Sequence, residues 1–362
     1  MTVAGVAGQA GPQLEKDRAT DRAQAEAIVR RDGRTPLDFF KLWPDKSYYF
    51  SPSRRSVVAY RVAYSVAVSL GDPVGPADEL EPVVVSFLRF CAERGWKAAF
   101  HQVLPDFLPG YQRRGLHAVK IGEEALVDLE RFAARTCRRA GFRKSRRRLE
   151  AQGYRVVHEP GPHPVSLLDE VQEVSSEWLS LPGRRERSFA LGGFDRGYLA
   201  GLPLLLVRDP TGRLVAFANQ VPGVRSGVAT VDLMRHRRES PNGLMDHLFC
   251  ALMLRMRAEG YRWFSLGLAP LAGVDRRPGA SLEERVARYV YEHSTVWFSF
   301  KGLRSFKAKF EPTWEDRFLV YQGGHVASLR TALALLRLTH RPIAAPRPPE
   351  PILMWPSSTS HP

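Results

Sequence analysis

Hydrophobic residues in the first half of the chain change from the spacing of β-strands to that of a helix and back. Residues 56–70, SVVAYRVAYSVAVSL, are strand-like and run into the turn GDPVGP. Apolar residues then recur every three or four positions, which predicts a helix whose buried stripe is Leu80, Val83, Val84, Phe87, Leu88 and Cys91. The helical pattern ends at Gly95, and the strand-like ERGWKAAFHQV follows. The spacing therefore predicts a strand–turn–helix–strand unit.

The second half of the chain repeats this order. Residues 207–234, VRDPTGRLVAFANQVPGVRSGVATVDLM, predict two strands joined by a turn, after which the dipeptide Pro241–Asn242 and Gly243 interrupt the pattern. A helix follows with an apolar stripe formed by Leu244, Leu248, Leu252 and Met256. It ends at Gly260, before the strand-like AEGYRWFSLGL. Two copies of one α/β unit are the simplest explanation of the repeated order.

The composition along the chain predicts four segments. Residues 1–35 contain few large apolar groups and are expected to be a flexible lead, with a short helix near its end. Residues 36–162 and 163–325 are the two predicted domains, with a boundary in the Pro- and Gly-rich stretch 158–167. Residues 326–362 are predicted to be a helix and a Pro-rich tail. That helix, HVASLRTALALLRLTH, is amphipathic, so it either packs on the fold or lies on a membrane.

The charge of the chain indicates an anionic partner. Its 362 residues include 53 Lys and Arg against 38 Asp and Glu, a net charge of +15. Nucleic acid, anionic lipid and a phosphorylated metabolite all fit this excess. Cys91, Cys137 and Cys250 are isolated and favour a reducing cytoplasm over a disulfide framework. Without an uninterrupted apolar run of about 20 residues, we expect a protein that is soluble or peripheral to a membrane.

Much of the positive charge lies in residues 131–155. This segment holds ten Arg and Lys and a single acid, Glu150. A solvated helix face usually interleaves acids with its cations, because like charges on neighbouring turns repel. The segment therefore favours a phosphate-binding surface for tRNA or lipid head groups over a plain solvated face. The residues predicted to form it are Arg139, Arg143, Lys144, Arg146 and Arg147.

Two further stretches carry candidate chemistry. In VATVDLMRH, Asp232 and Arg235 follow a predicted strand, where they form either a site or a local ion pair. Strand alternation places them on opposite faces unless the strand bulges between them. In FKGLRSFKAKF, Lys301 and Arg304 lie one helical turn apart, on either an ordinary basic face or an anion-binding one. The absence of P-loop, G-x-G-x-x-G and H-E-x-x-H motifs argues against nucleotide-dependent oxidoreductases and zinc hydrolases.

The repeated unit resembles the acyltransferase fold of the GNAT type. The implied fold class is α/β (α+β), with tandem GNAT-type folds whose mixed central sheets are flanked by helices. The Gly-rich turn with which such enzymes bind coenzyme A, Q/R-x-x-G-x-G/A, is replaced here by RRESPNG. We therefore expect no coenzyme A and no other cofactor or metal.

Four ordered blocks resemble the aminoacyl-phosphatidylglycerol synthases. They are VDLMRH…PNGLMDHLF, GYRWFSLGLAPLAGV, ERVARYVYEHS and FKGLRSFKAKFEPTWEDRFLVY, and the resemblance extends over residues 36–322. It implies transfer of lysine or alanine from aminoacyl-tRNA to a hydroxyl of phosphatidylglycerol. The family's polar positions fall on Asp232, Arg235, Glu292, Lys301, Arg304 and Lys309. The family's YEHG is YEHS here, with Ser294.

The resemblance also suggests roles and partners. Asp232 or Glu292 either accepts the hydroxyl proton or holds the ammonium group of the amino acid, while Arg235, Lys301 and Arg304 bind phosphate, the tRNA 3′ end or the oxyanion. The expected partners are aminoacyl-tRNA, an anionic membrane phospholipid at the inner face of the cell membrane, and a separate membrane flippase. Transfer to a cell-wall peptide and non-catalytic binding of RNA or anionic lipid are the alternatives.

Overall fold

The structure is a computed structural model that describes residues 12–221, 223, 227–270 and 300–340. Its helices are α1 (Pro12–Asp32), α2 (Leu37–Phe40), α3 (Ala77–Glu93), α4 (Leu108–Gln112), α5 (Leu129–Ala134), α6 (Ala140–Ala151), α7 (Val165–Leu179), α8 (Arg196–Ala200), α9 (Leu244–Ala258), α10 (Phe300–Ala308) and α11 (His325–His340). Over these ranges, no helix combines the length and the hydropathy needed to cross a bilayer.

The strands of the described residues join in one mixed sheet. They are β1 (Ser47–Phe50), β2 (Val57–Ala63), β3 (Val66–Leu70), β4 (Lys97–Val103), β5 (Leu116–Asp128), β6 (Arg155–Glu159), β7 (Leu204–Arg208), β8 (Leu214–Val221), β9 (Val228–His236), β10 (Trp263–Pro270) and β11 (Thr313–Gln322). The strand order is β1-β2-β3-β4-β11-β5-β10-β9-β8-β7-β6. Only the pairs β3–β4 and β9–β10 are parallel.

Each parallel pair belongs to one of the two predicted units. Helix α3 connects β3 to β4, and helix α9 connects β9 to β10. The predicted apolar stripes are buried, with Phe87 and Cys91 in the first helix and Leu248 and Met256 in the second fully covered. The predicted α/β fold with two similar strand–helix–strand units is therefore confirmed.

The centre of the sheet is built by an exchange of strands between the halves. Strand β5 follows β4 in the chain but pairs with β10 and β11, and β11 follows β10 but pairs with β4 and β5. Strand β6 begins before the boundary predicted at residues 158–167 and ends within it, yet it pairs with β7 beyond it. The division into domains 36–162 and 163–325 stays a prediction, and any such domains share one continuous sheet.

The two ends of the described chain pack on this sheet. Helix α1 buries Ala25, Ile28 and Val29 against the side chains of Val57 and Val74. The helix expected within residues 1–35 is thus present as α1 and is anchored by a small apolar stripe, and the flexible lead itself stays a prediction. At the other end, α11 buries Ala332, Ala334, Leu335 and Leu338 and leaves Val326, Leu329 and Leu333 exposed.

Candidate active site

A bulge in β9 brings the two predicted strand residues to one site. Asp232 and Leu233 of β9 together lie opposite the single residue Asn219 of β8. The extra residue shifts the alternation of side chains, so Asp232 and Arg235 line the same cavity. Asn219 stabilises the bulge because its Oδ1 accepts the Leu233 N–H at 2.7 Å. Regular strand alternation would have placed Asp232 and Arg235 on opposite faces. The bulge is therefore what allows both to share one site.

The site consists of two adjoining cavities. The larger, of about 730 Å³, lies between β9, α9, α10 and the loop of residues 182–192. The smaller, of about 330 Å³, extends between β4, β10, α2 and α11. Both are lined mainly by apolar groups, and Arg187, Asp232 and Lys307 belong to the walls of both. These three charged side chains mark the place where the two cavities adjoin.

Asp232 is held rigidly at this place. Its Oδ2 accepts the Tyr198 hydroxyl at 2.9 Å, and its Oδ1 accepts the Gly192 N–H at 3.0 Å. The Asn219 amide donates to the Tyr198 hydroxyl oxygen at 3.1 Å, which links the carboxylate to the bulge. Gly192 is required by close approach, since a Cβ there would lie 2.2 Å from the Asp232 carboxylate. Burial raises the pKa of Asp232 to about 6 despite these hydrogen bonds.

The positive charge of Arg235 is paired with a carboxylate of the same chain. Its Nη2 donates to both carboxylate oxygens of Glu186 at 2.8 Å, and its Nη1 donates to the Ser175 hydroxyl. The guanidinium also lies 5.1 Å from the centre of the Trp178 ring. Glu186 belongs to the 182–192 loop, so Arg235 fixes that loop against the wall of the larger cavity. Arg235 therefore does not form the local ion pair with Asp232 that was considered from the sequence, and pairs with Glu186 instead.

Lys307 of α10 is a site residue that the sequence interpretation missed. Its Nζ donates to the main-chain oxygens of Gly267 at 2.9 Å and Leu268 at 2.8 Å. Burial lowers the pKa of this amine to about 7, although the charge of Glu124 acts in the opposite direction. One signal was available: Lys307 lies four residues after Leu303 and three before Phe310, on the apolar stripe of its helix.

The other predicted cations of this helix lie elsewhere. Arg304 pairs with Glu123 at 3.2 Å and stacks 4.6 Å from the Trp314 ring centre, and Lys309 pairs with Asp246 at 3.1 Å. Arg304 and Lys309 are outside the lining of both cavities. The side chain of Lys301 and the whole of Glu292 lie outside the described part of the structure. The catalytic roles assigned to these four residues stay predictions.

Three arginines of the 182–192 loop were also missed. Arg184, Arg185 and Arg187 line the larger cavity, and Arg187 reaches the smaller one as well. Burial lowers the pKa of Arg184 and of Arg187, with the charge of Arg185 adding to the effect at Arg187. The sequence signal was weak, because the loop has no periodicity, and only its cluster LPGRRERS stands out. The loop gives the cavity a wall that attracts anions.

The Arg-rich segment forms an exposed surface next to the larger cavity. Arg143, Lys144, Arg146 and Arg147 of α6 are exposed, while Arg139 pairs with Glu311. Helix α6 buries Leu149 in the cluster that contains the apolar residues of α9, and the Ser145 hydroxyl donates to the Gly243 oxygen at 3.5 Å. Since Met245 of α9 lines the larger cavity, this basic surface borders one of its walls.

Metal chemistry finds no support in the residues that can be described. Among them, no three His, Cys, Asp or Glu side chains are grouped so that they could bind a metal ion. Cys91 and Cys250 are buried thiols, and burial raises the pKa of each to about 12. The polar groups of the cavities include the Asp232 carboxylate, the Lys307 amine and several guanidinium groups, which suit charged organic substrates.

The two β–α–β units and the cavity of the second unit define an α/β protein with one charged site. A family model, "Phosphatidylglycerol lysyltransferase, C-terminal", matches residues 26–321. The chain belongs to this family. It is 32% identical over 318 residues to a phosphatidylglycerol lysyltransferase of Staphylococcus epidermidis, which corresponds to 88% of this chain and 38% of that relative. The chain thus spans less than half the length of this curated relative.

Solved structures show the same relationship. The structure of L-PGS from Bacillus licheniformis has a TM-score of 0.78 and 32% identity, covering 87% of this chain and 95% of that one. The C-terminal domain of a putative lysylphosphatidylglycerol synthetase from Agrobacterium fabrum has a TM-score of 0.78 and 33% identity, covering 89% and 98%. Both likenesses extend over nearly the whole of the solved chains.

Proposed function

We propose that this chain transfers an aminoacyl group from aminoacyl-tRNA to a hydroxyl group of phosphatidylglycerol. The observation that carries the proposal is the pair of adjoining cavities, whose shared wall holds Arg187, Asp232 and Lys307. Two substrates must meet in such a reaction, and each cavity offers room for part of one. Membership of the phosphatidylglycerol lysyltransferase family supports this choice of acceptor.

The reaction sets clear demands on the site. A lipid hydroxyl oxygen attacks the ester carbonyl carbon, the bond to the ribose oxygen breaks, and the hydroxyl proton is passed to that leaving oxygen. The donor's amino group is cationic and the lipid phosphate is anionic, so both signs of charge are needed close together. Asp232 supplies the negative charge, and the loop cations around Arg187 supply the positive charge.

We assign the amino group of the donor to Asp232. Both oxygens of this carboxylate are fixed by hydrogen bonds from Tyr198 and Gly192, and each retains capacity to accept another. A fixed anion in a cavity wall suits recognition of an ammonium group, because its position needs no reorganisation on binding. Lysine or alanine is the amino acid expected from the family, and the α-ammonium group that both carry is the group assigned to Asp232.

The tRNA is proposed to bind along the Arg-rich surface. Its exposed cations on α6 border the α9 wall of the larger cavity, and each can neutralise one backbone phosphate. A tRNA held there would have its aminoacylated end close to the larger cavity. No coenzyme A is needed in this scheme, because the ester of aminoacyl-tRNA is already activated.

The lipid is proposed to reach the smaller cavity from the side of α11. This helix exposes Val326, Leu329 and Leu333, together with the charged Arg337. Its Leu335 and Leu336 line the smaller cavity. An exposed apolar stripe beside cations suits shallow contact with an anionic membrane surface. Association with the inner face of the cell membrane is part of the proposal, and the separate flippase partner stays a prediction.

The test is transfer by the purified chain. Radiolabelled lysyl- and alanyl-tRNA would be incubated with vesicles of phosphatidylglycerol, and the lipid fraction would be analysed by mass spectrometry. The expected product is phosphatidylglycerol that has gained the mass of one aminoacyl residue. Matched vesicles of phosphatidylcholine, which lacks a free glycerol hydroxyl, are the control. Binding of tRNA and vesicles without product would favour a non-catalytic protein, and label in an added cell-wall peptide would favour the other acceptor.

A further inference from the structure

Lys307 has an unusual set of partners for a buried amine. A buried ammonium group normally lies against a carboxylate, because its charge is costly without a counter-ion. The described hydrogen bonds of its Nζ go instead to two neutral oxygens, those of Gly267 and Leu268. The nearby Glu124 is hydrogen-bonded by Arg317 and by the Ser265 hydroxyl, so its charge is matched elsewhere. This environment favours the uncharged amine.

We infer that Lys307 is the general base that accepts the proton of the attacking hydroxyl group. This inference rests on the proposed function. An uncharged amine has two N–H groups and one lone pair, and the two main-chain oxygens account for both N–H groups. The lone pair takes the remaining tetrahedral position of Nζ, and Lys307 lines both cavities. It is therefore placed where hydroxyl and ester must meet.

The backbone of β10 is shaped to provide these two acceptors. The register between β10 and β5 shifts between Ser265 and Leu268, which marks a bulge. Gly267 in this bulge has a φ of +77°, a conformation that favours glycine. The Ser265 hydroxyl oxygen accepts the Gly267 N–H at 3.0 Å and stabilises the bulge. The resulting geometry turns two consecutive carbonyl groups towards α10.

Other titratable groups also line the two cavities. Those that line the cavities with Lys307 are His101 of β4, Glu124 of β5, Arg184, Arg185, Glu186 and Arg187 of the loop, Asp232, Arg235 and His236 of β9, and His340 of α11. Burial lowers the pKa of His101 to about 4, so its imidazole is a weak base. Burial lowers the pKa of Lys307 to about 7, where a base is most effective at neutral pH.

The proton transfer is balanced and needs no further reactant. The Lys307 lone pair takes the hydroxyl proton as the lipid oxygen forms its bond to the ester carbonyl carbon. When the tetrahedral intermediate collapses, the bond to the ribose oxygen breaks and the Lys307 ammonium returns the proton to that oxygen. The amine is regenerated, and the products are the aminoacyl lipid and free tRNA.

The first test compares Lys307→Met with the full-length wild-type chain in single-turnover transfer from lysyl- or alanyl-tRNA to phosphatidylglycerol vesicles. We expect the rate to fall by about 10²–10⁴-fold, the usual contribution of a general base. Lys97→Met, at an exposed position outside both cavities, is the matched control and should keep the wild-type rate. The wild-type rate should rise with pH up to about 7 and then level off.

Added methylamine should restore part of the activity of Lys307→Ala, because it can replace the missing amine as a base. A purely structural lysine would not allow this rescue.

A second measurement does not depend on the folding of any variant. In wild-type protein labelled with ¹³C at lysine Cε, one resonance should titrate near pH 7, apart from that of Lys46, whose pKa burial lowers to about 8. The absence of any lysine resonance that titrates near pH 7 would overturn the inference. An active wild type together with a Lys307→Met variant of nearly wild-type rate would overturn the base assignment alone. A wild type that forms no aminoacyl lipid would overturn the proposed function, and the base assignment with it.

Discussion

Asp72 and Asp232 lie at similar places in the two β–α–β units, where the first strand leads towards the helix, and their carboxylates are held alike. Asp72 accepts the Tyr111 hydroxyl at 3.1 Å and the Leu104 N–H at 3.0 Å. Asp232 likewise accepts one tyrosine hydroxyl and one main-chain N–H. Burial raises the pKa of both to about 6. A raised pKa therefore does not distinguish a binding site from a structural one.

The two carboxylates differ in the open space that lies beside them. Asp232 lines a cavity of about 730 Å³, whereas the void beside Asp72 measures about 20 Å³, enough for a water molecule at most. The buried lysines differ in the same sense: Lys41 in the first unit forms an ion pair with Asp38 at 2.6 Å, while Lys307 contacts only main-chain oxygens among its described hydrogen bonds. Asp72 and Lys41 of the first unit are thus enclosed with their partners, whereas Asp232 and Lys307 of the second unit line open cavities.

The sharpest test of this comparison is Asp232→Asn. We expect transfer to fall by at least about 10²-fold, because the amide keeps the shape of the side chain but loses the charge that holds the ammonium group. The melting temperature should change by no more than about 2 °C, since the site is open to water. Single-turnover rates and thermal unfolding would be measured on one preparation. A stable variant with wild-type transfer would remove Asp232 from the site.

The opposite pattern is expected for Asp72→Ala. Removal of this carboxyl group leaves the Tyr111 hydroxyl and the Leu104 N–H buried without an acceptor, which should lower the free energy of unfolding by about 2 kcal/mol at pH 5. Because the folded-state pKa is raised, the wild-type carboxyl stabilises most at low pH and loses this contribution as pH rises through about 6. The difference in the free energy of unfolding between wild type and Asp72→Ala should therefore be smaller at pH 7 than at pH 5, by about 1.4 kcal/mol.

Urea titrations at the two pH values would measure that difference, and transfer per folded molecule should stay at the wild-type level. A loss of transfer without a loss of stability would show that the first unit takes part in the chemistry.

A smaller effect is expected on the pH dependence of substrate binding. With the pKa of Asp232 at about 6, its carboxylate is charged above that pH and becomes protonated below it. The KM for aminoacyl-tRNA should therefore rise about tenfold between pH 6.5 and pH 5. Asp232→Asn should flatten this profile, whereas Asp72→Ala should preserve it. A rise that survives in Asp232→Asn would assign the acidic limb to another group.

The smallest expected effect concerns the basic surface that borders only the second unit's cavity. Arg147→Gln should weaken tRNA binding about fivefold and lower the slope of log K against log salt concentration by about one, since one phosphate contact is lost. Arg89→Gln, an exposed cation on helix α3 of the first unit, is the control and should change neither quantity. Equal effects of both substitutions would indicate that tRNA is attracted by overall charge alone.

Local patterns in the sequence were sufficient to predict the two units but not the way in which their strands combine in one sheet. The stripes that include Phe87 and Leu248 predicted both helices, because burial of one helix face depends on spacing within a single element. The exchange of β5 and β11 could not be predicted in this way, since a strand's own residues do not define its distant partner. Pairing of this kind is decided by the tertiary structure.

The candidate site was predicted in part for the same reason. Asp232 and Arg235 were identified from one short stretch, and only the bulge opposite Asn219 brings them to a common wall. Lys307 was missed, although its place on the apolar stripe of its helix distinguished it from the other cations there. The arginines of residues 182–192 carry no pattern, and their position follows from the Arg235–Glu186 ion pair, which joins residues distant in sequence.

The exchanged strands also have a consequence for biosynthesis. Strand β11 comes after the other strands of the described residues, and it fills the gap between β4 and β5 in the middle of the sheet. While the ribosome is still producing the second half, those two strands present unpaired edges, a known route to aggregation. The sheet closes only through contacts between residues some 200 positions apart, which predicts slow folding and a need for protection of the nascent chain.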